Sequence, residues 1–195
     1  MNTTIVGAGH VGLALAKLFA RSQLKVSIAS RRLPQAIAPL VQGLGAGVTA
    51  VSLDEGLQAD IVFLAIPWPA FHDFARAAAV DWRGKIVVDA MNSREDLQGR
   101  LSSNIVADEL RGARVVKAFN QLPAAVLGQD PSERGGRRVV FISSNDEDAS
   151  DTIQSLAKRL GFAPIGLGKI DEGGRLLLFR APLMLRHLVD HGLEK

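Results

Sequence analysis

Short apolar runs, rich in valine and isoleucine, alternate along this chain with longer stretches whose apolar residues recur at helical spacing. The strand-like runs cover residues 3–6, 25–29, 47–51, 61–66, 85–89, 114–119, 138–143 and 162–167. Between them the periodicity predicts helices over 11–21, 34–42, 53–58, 69–80, 104–111, 123–127 and 147–160. A last apolar segment, 174–191, reads as a final helix, kinked or restarted at Pro182. Continuous apolar runs, rather than alternating ones, mean strands covered on both faces. Strand, helix and strand in repetition then imply a parallel sheet with right-handed crossovers. No linker of low complexity divides the chain; 128–136 is its most loop-like stretch.

The sequence Gly7-x-Gly9-x-x-Gly12 follows the first strand-like run and opens the first amphipathic helix, marked by Val11, Leu15, Leu18 and Phe19. In a dinucleotide fold the first such glycine permits a tight turn. The second lets a pyrophosphate approach the backbone, and the third lets helix and strand pack closely. The helix start adds free N–H groups and a partial positive charge. Together these features predict an α/β fold of the Rossmann type, doubly wound around a mostly parallel sheet. Residues 1–168 would form the dinucleotide-binding domain, and 169–195 a short C-terminal helical extension packed on it. Gly7, Gly9, His10, Val11 and Gly12 are the candidate pyrophosphate seat. A glycine-rich turn without a ligand is the plainer alternative. His10 has two open readings, a cofactor contact or a tolerated loop side chain.

An NAD-specific site usually carries an acid at the end of the second strand, which would repel a 2′-phosphate. Here that strand is followed by Ser30-Arg31-Arg32, with no acid. A guanidinium can fork onto phosphate oxygens and the serine hydroxyl can add a bond. The expected cofactor is therefore NADP(H), against the alternative of a solvated basic turn.

Composition narrows the classes that remain. The chain has 195 residues, enough for one sizeable core but not for a dinucleotide domain plus a large independent substrate domain. It is 47% hydrophobic and 22% charged, with a net charge of +3. Its basic residues are scattered apart from Arg31-Arg32 and the stretch from Arg134 to Arg138, without the interleaved aromatics that single-stranded nucleic acid needs. Cysteine is absent, which removes disulfides and thiol chemistry and fits a reducing compartment. No apolar run approaches the roughly 20 residues of a membrane helix. With the first strand starting by Thr3, there is no room for a signal peptide. The expectation is a cytoplasmic protein that binds neither nucleic acid nor membrane.

The Ser30-Arg31-Arg32 turn resembles that of NADPH-dependent reductases of the deazaflavin coenzyme F-420, and of the related cytosolic domains of the STEAP metalloreductases. Asp60-Ile61-Val62-Phe63-Leu64-Ala65-Ile66-Pro67-Trp68 is similar to that group's fourth strand and the turn after it. Val115-Val116-Lys117-Ala118-Phe119-Asn120 is similar to a strand end of the metalloreductase branch. Gly173-Gly174-Arg175, with Pro182-Leu183 downstream, is similar to the group's C-terminal element. The resemblance implies that Ile66 and Pro67 border the nicotinamide ribose, that Trp68 walls the ring, and that Asn120 bonds a carboxamide or the acceptor. Core packing for Trp68 and a turn role for Asn120 stay open. Lys117, inside an apolar strand, is expected to snorkel or to form an ion pair. The apolar C-terminal segment either packs over the sheet edge or forms an acceptor wall or homodimer face.

Hydride transfer between a nicotinamide and a flavin-like ring needs little acid–base help from the protein. The sequence shows no triad, no metal-binding histidine pair and no carboxylate dyad, and no catalytic side chain is assigned. The function expected is NADP(H)-dependent hydride transfer to a small-molecule redox acceptor, a flavin or deazaflavin. An imine or carbonyl reductase and a non-catalytic NADP(H) sensor are the alternatives.

Overall fold

The computed structural model describes residues 1–95 and 97–192. Its elements run β1 (Thr3–Val6), α1 (His10–Arg21), β2 (Val26–Ala29), α2 (Pro34–Gln42), β3 (Val48–Ala50), α3 (Leu53–Gly56), β4 (Ile61–Leu64), α4 (Phe71–Ala77), β5 (Ile86–Asp89), α5 (Ser102–Glu109), β6 (Arg114–Ala118), α6 (Ala124–Leu127), β7 (Ser132–Glu133), β8 (Gly136–Ser144), α7 (Glu147–Arg159), β9 (Ala163–Gly166) and β10 (Val189–Asp190). Short 3-10 turns lie at Trp68–Ala70 and Gly173–Leu177.

The strands form one sheet in the order β10-β8-β6-β5-β4-β1-β2-β3, with β7 and β9 also paired to β8. From β3 to β6 every pairing is parallel; β8 then runs antiparallel to β6. The order reverses at β1, which lies between β2 and β4. A crevice opens beyond the carboxyl ends of the strands at such a point, and ligands of open α/β sheets bind there.

Alternate residues of each strand feed two cores. Ile61 and Phe63 face a layer that contains α1, α2 and α7, and Val62 and Leu64 face one that contains α4 and α5. This is why the runs read as unbroken apolar sequence. Phe63 meets Phe19 of α1 edge to face at 5.9 Å, so the first helix is fixed against the central strand.

All eight anticipated strands are present; β7 and β10, two residues each, were too short to leave a period in the sequence. The predicted final helix over 174–191 is not. Only Gly173–Leu177 is helical, as a 3-10 turn, and the backbone is extended at Leu178. Arg180 and Leu185 have φ of 68° and 60°, which a right-handed helix excludes. The backbone groups bond across the fold instead: Leu185 N–H donates to Gln121 O, and Val139 N–H to Leu188 O. Among the described residues no helix is long and apolar enough to cross a membrane.

Candidate functional site

A cavity of about 350 Å³ opens at the carboxyl ends of β1, β2 and β4. Gly7, Gly9, Ser30, Arg31, Arg32, Ile66 and Pro67 all line it. Three separate stretches of sequence thus converge because the sheet order sets their strand ends side by side.

The three glycines serve different needs. Gly7 sits at φ 119°, where a Cβ would lie 2.4 Å from the Ala65 carbonyl oxygen, and its N–H donates to Ala29 O at 2.8 Å. At Gly12 a Cβ would lie 1.8 Å from the Gly7 carbonyl oxygen. Both positions are closed by backbone. Gly9 is exposed at the cavity, and a Cβ there would meet no atom within 4 Å. The bare backbone at Gly9 therefore leaves room for a ligand rather than for the protein. The α1 start that follows has neither a side-chain cap nor an acid in its first turn. Its leading N–H groups lack intrahelical partners and suit an anion. His10 is exposed beside them, and Val11 is half-buried against the core.

The turn after β2 is shaped by Ser30, whose Oγ accepts the Arg32 N–H at 3.1 Å. This bond ties the hydroxyl to the turn and presents Arg31 and Arg32 as exposed side chains. Neither arginine enters an ion pair among the described residues. The cavity lining includes no carboxylate. Unpaired guanidiniums, bare backbone and an acid-free wall fit a phosphorylated dinucleotide.

Leu53 and Phe74 also line the cavity and give it an apolar side. Sequence reasoning missed them, because a leucine and a phenylalanine on amphipathic helices read as ordinary core. A capping box positions Leu53. Ser52 Oγ accepts the Glu55 N–H at 3.2 Å, and Glu55 Oε2 accepts the Ser52 N–H at 2.9 Å. The bonds from Ser52 hold the Glu55 carboxyl below its ordinary pKa.

Trp68 and Asn120 do not line this cavity. Trp68 is 2% exposed, stacks on Phe71 at 5.4 Å, and donates from Nε1 to Glu95 Oε2 at 3.1 Å. Asn120 is buried at the end of β6, after Phe119 turns the chain at φ 60°. Its Nδ2 donates to Asn92 Oδ1 at 2.9 Å and to Leu177 O at 2.8 Å, while Asn92 Nδ2 donates to Asn120 O at 3.0 Å. The Leu177 carbonyl can only accept, which fixes the amide's orientation. Asn120 Oδ1 is then left buried without a partner.

Beneath this knot, Lys117 Nζ lies 3.1 Å from Asp89 Oδ2 and 2.5 Å from Met91 O. The expected ion pair of Lys117 is thus present, fully buried, with Ser103 Oγ donating to the same carboxylate at 2.7 Å. Gln121, 0% exposed, carries a role that sequence reasoning missed. Its Nε2 donates to Val139 O at 3.0 Å and its Oε1 faces the Phe141 N–H at 3.5 Å, filling the ladder of β8 between β6 and β10.

Known proteins bear on this arrangement. Residues 2–93 match the family described as NADP oxidoreductase, coenzyme F-420-dependent. Metalloreductase STEAP3 of Rattus norvegicus is 32% identical over 173 residues, covering 85% of this chain and 33% of that protein. The chain thus spans about a third of the length of that curated relative. The crystal structure of the hypothetical protein SMa0349 from Sinorhizobium meliloti superposes with a TM-score of 0.93 at 42% identity, covering 97% of this chain and 96% of that one. A proposed F-420-dependent NADP reductase from Arthrobacter sp. FB24 superposes with a TM-score of 0.72 at 26% identity, covering 88% and 86%. The acid-free cavity over its glycine turn thus lies within residues 2–93, the part of the chain that matches the coenzyme F-420-dependent NADP oxidoreductase family, and the similarity to a STEAP metalloreductase extends over most of the chain.

Proposed function

We propose that this oxidoreductase binds NADP(H) in the cavity beside β1 and moves hydride between it and a flavin-like or deazaflavin acceptor. One observation carries the reading: two unpaired guanidiniums at the end of β2, in a cavity lined by no carboxylate. Arg31 and Arg32 would hold the 2′-phosphate, with Ser30 setting their turn. Gly7, Gly9, His10, Val11 and Gly12 would seat the diphosphate against the α1 start. Leu53 and Phe74 would cover the flat face of the base. Ile66 and Pro67 would border the sugar next to the nicotinamide.

The bound cofactor supplies the hydride. The chain's own part is to align two planar rings and to exclude water, which needs no acid or base. Asn120 Oδ1, buried and unpaired, would offer an acceptor for an N–H of either ring. Trp68 would act from behind, by stiffening the turn that carries Pro67.

Calorimetric titration with NADPH and NADH tests the cofactor assignment. Arg31→Ala is expected to weaken NADPH at least tenfold and NADH hardly at all; equal losses for both would overturn the 2′-phosphate role. Turnover with flavins, a deazaflavin and cyclic imines tests the acceptor. Oxidation of NADPH by the planar ring systems is expected. Tight NADPH binding with no turnover on any acceptor would overturn the hydride-transfer reading in favour of a sensor.

A further inference from the structure

Asp89 and Lys117 stand opposite each other on the last shared rung of β5 and β6. This is the carboxyl edge of the sheet, where ligands of open α/β folds bind. Both side chains are buried, and their charges are paired at 3.1 Å. Ile86 with Arg114, Val87 with Val115 and Val88 with Val116 already join the two strands. A buried ion pair adds little to such a join, since apolar residues of similar volume often hold as well or better. Keeping the strands together does not require it.

The remaining bonds of the pair go to the chain that leaves β5. Asp89 Oδ1 accepts the Met91 N–H at 3.0 Å, and Lys117 Nζ donates to the Met91 carbonyl at 2.5 Å. Both main-chain polar groups of Met91 are thus held by the pair. Ser103 Oγ, from α5, adds a further donor to the carboxylate at 2.7 Å. The Met91 side chain is buried in the apolar cluster that contains Trp68, so this residue is fixed at main chain and side chain alike. Asn92 follows it and spends both ends of its amide on Asn120. Among the described residues, Asn120 Oδ1 is the buried side-chain polar atom left without a partner. Such an acceptor is rare in a native fold and marks a place that a ligand or a water completes.

We infer that Lys117 and Asp89 are positioning residues of the redox site: through the main chain of Met91 they set the Asn92–Asn120 amide pair, and with it the acceptor offered to the reacting ring. The inference rests on the hydride-transfer reading and adds the residues that fix its geometry. Neither side chain meets cofactor or acceptor; both act through residue 91. A shift of about 1 Å in a positioning group can cost about a hundredfold in rate.

The double variant Asp89→Leu, Lys117→Met removes both charges at nearly constant volume and is expected to keep the fold, which a thermal melt checks. Oxidation of NADPH by riboflavin and by a deazaflavin is then measured with the full chain. If the pair only joined the strands, the folded double variant would turn over like the native protein. The expected result is a fall in kcat of about tenfold or more, with KM for NADPH little changed. Affinity for 2′,5′-ADP, which lacks the nicotinamide half, should not change. Asn120→Ala should cause a similar fall, and adding it to the double variant should cost little more, because all three changes disable one amide. Ser103→Ala loosens the carboxylate without uncovering a charge. It is expected to lower kcat by a smaller factor, and it stands in if the double variant does not fold. Native kcat in a folded variant, losses that multiply with that of Asn120→Ala, or a matching loss of 2′,5′-ADP binding would overturn the inference. If the native protein oxidises NADPH with neither acceptor, the hydride-transfer reading falls by itself. The emission spectrum of bound NADPH then decides the inference. The same shift in the double variant and in Asn120→Ala supports it, and native emission in the double variant overturns it.

Discussion

At the scale of single residues, the glycine turn separates positions closed by the protein's own backbone from one that is open to the cavity. A methyl group at Gly12 would collide with a carbonyl that cannot swing aside, whereas one at Gly9 would enter open space. Gly12→Ala is expected to cost about 2 kcal/mol or more, lowering Tm by about 5 °C. Gly9→Ala is expected to leave the melt of the free protein unchanged and to lower NADPH affinity. Thermal melts with and without NADPH distinguish the two. These residues were legible in the sequence because glycine and arginine carry their reasons locally: at Gly7 and Gly12 no side chain fits, and no acid stands beside the cations. Leu53, Phe74 and Gln121 were not legible. An apolar side chain at a cavity has the same sequence signature as one in a core, and the use of Gln121 depends on a strand that pairs with its neighbour only after the chain has folded.

At the scale of elements, two ion pairs act differently. Lys117 and Asp89 join β6 to β5 out of contact with water, with side chains 3% and 0% exposed. Lys117→Met would leave a buried carboxylate uncompensated, at an expected cost of about 3–5 kcal/mol, read from urea unfolding. Asp146 and Arg114 lie nearer the surface. Asp146 Oδ1 accepts the Ala149 N–H at 2.8 Å and so caps α7, and the Arg114 guanidinium beside it brings its carboxyl from 3.8 to about 2. The folded state favours the ionised form. That contribution is therefore complete above about pH 4 and is lost as the pH falls through about 2. Asp146→Ala is expected to cost about 1 kcal/mol at neutral pH, with the difference from the native protein narrowing below pH 4. Unfolding curves across that range check the sign. The strands and most helices were legible as elements because their burial follows a fixed period. The C-terminal segment was misread because its leucines recur at helical spacing while its backbone bonds to Gln121 and β8.

At the scale of the whole molecule, the sheet order places a cavity where the winding reverses. A ligand seated there should stabilise the fold as a unit. At a concentration 100-fold above Kd, NADPH is expected to add about 2.7 kcal/mol and raise Tm, whereas NADH at the same concentration should add far less. A scanning melt with each nucleotide reads this directly. The turn at Phe119 links this scale to the smallest. Its ring is held between Phe63 and Phe162, at 5.7 Å and 5.9 Å, while its main chain adopts a left-handed twist. The course of the chain into Asn120 is thereby fixed by a ring group that makes no hydrogen bond to the amide. Anyone wishing to re-aim that amide by design would have to rebuild an aromatic trio that does not line the cavity.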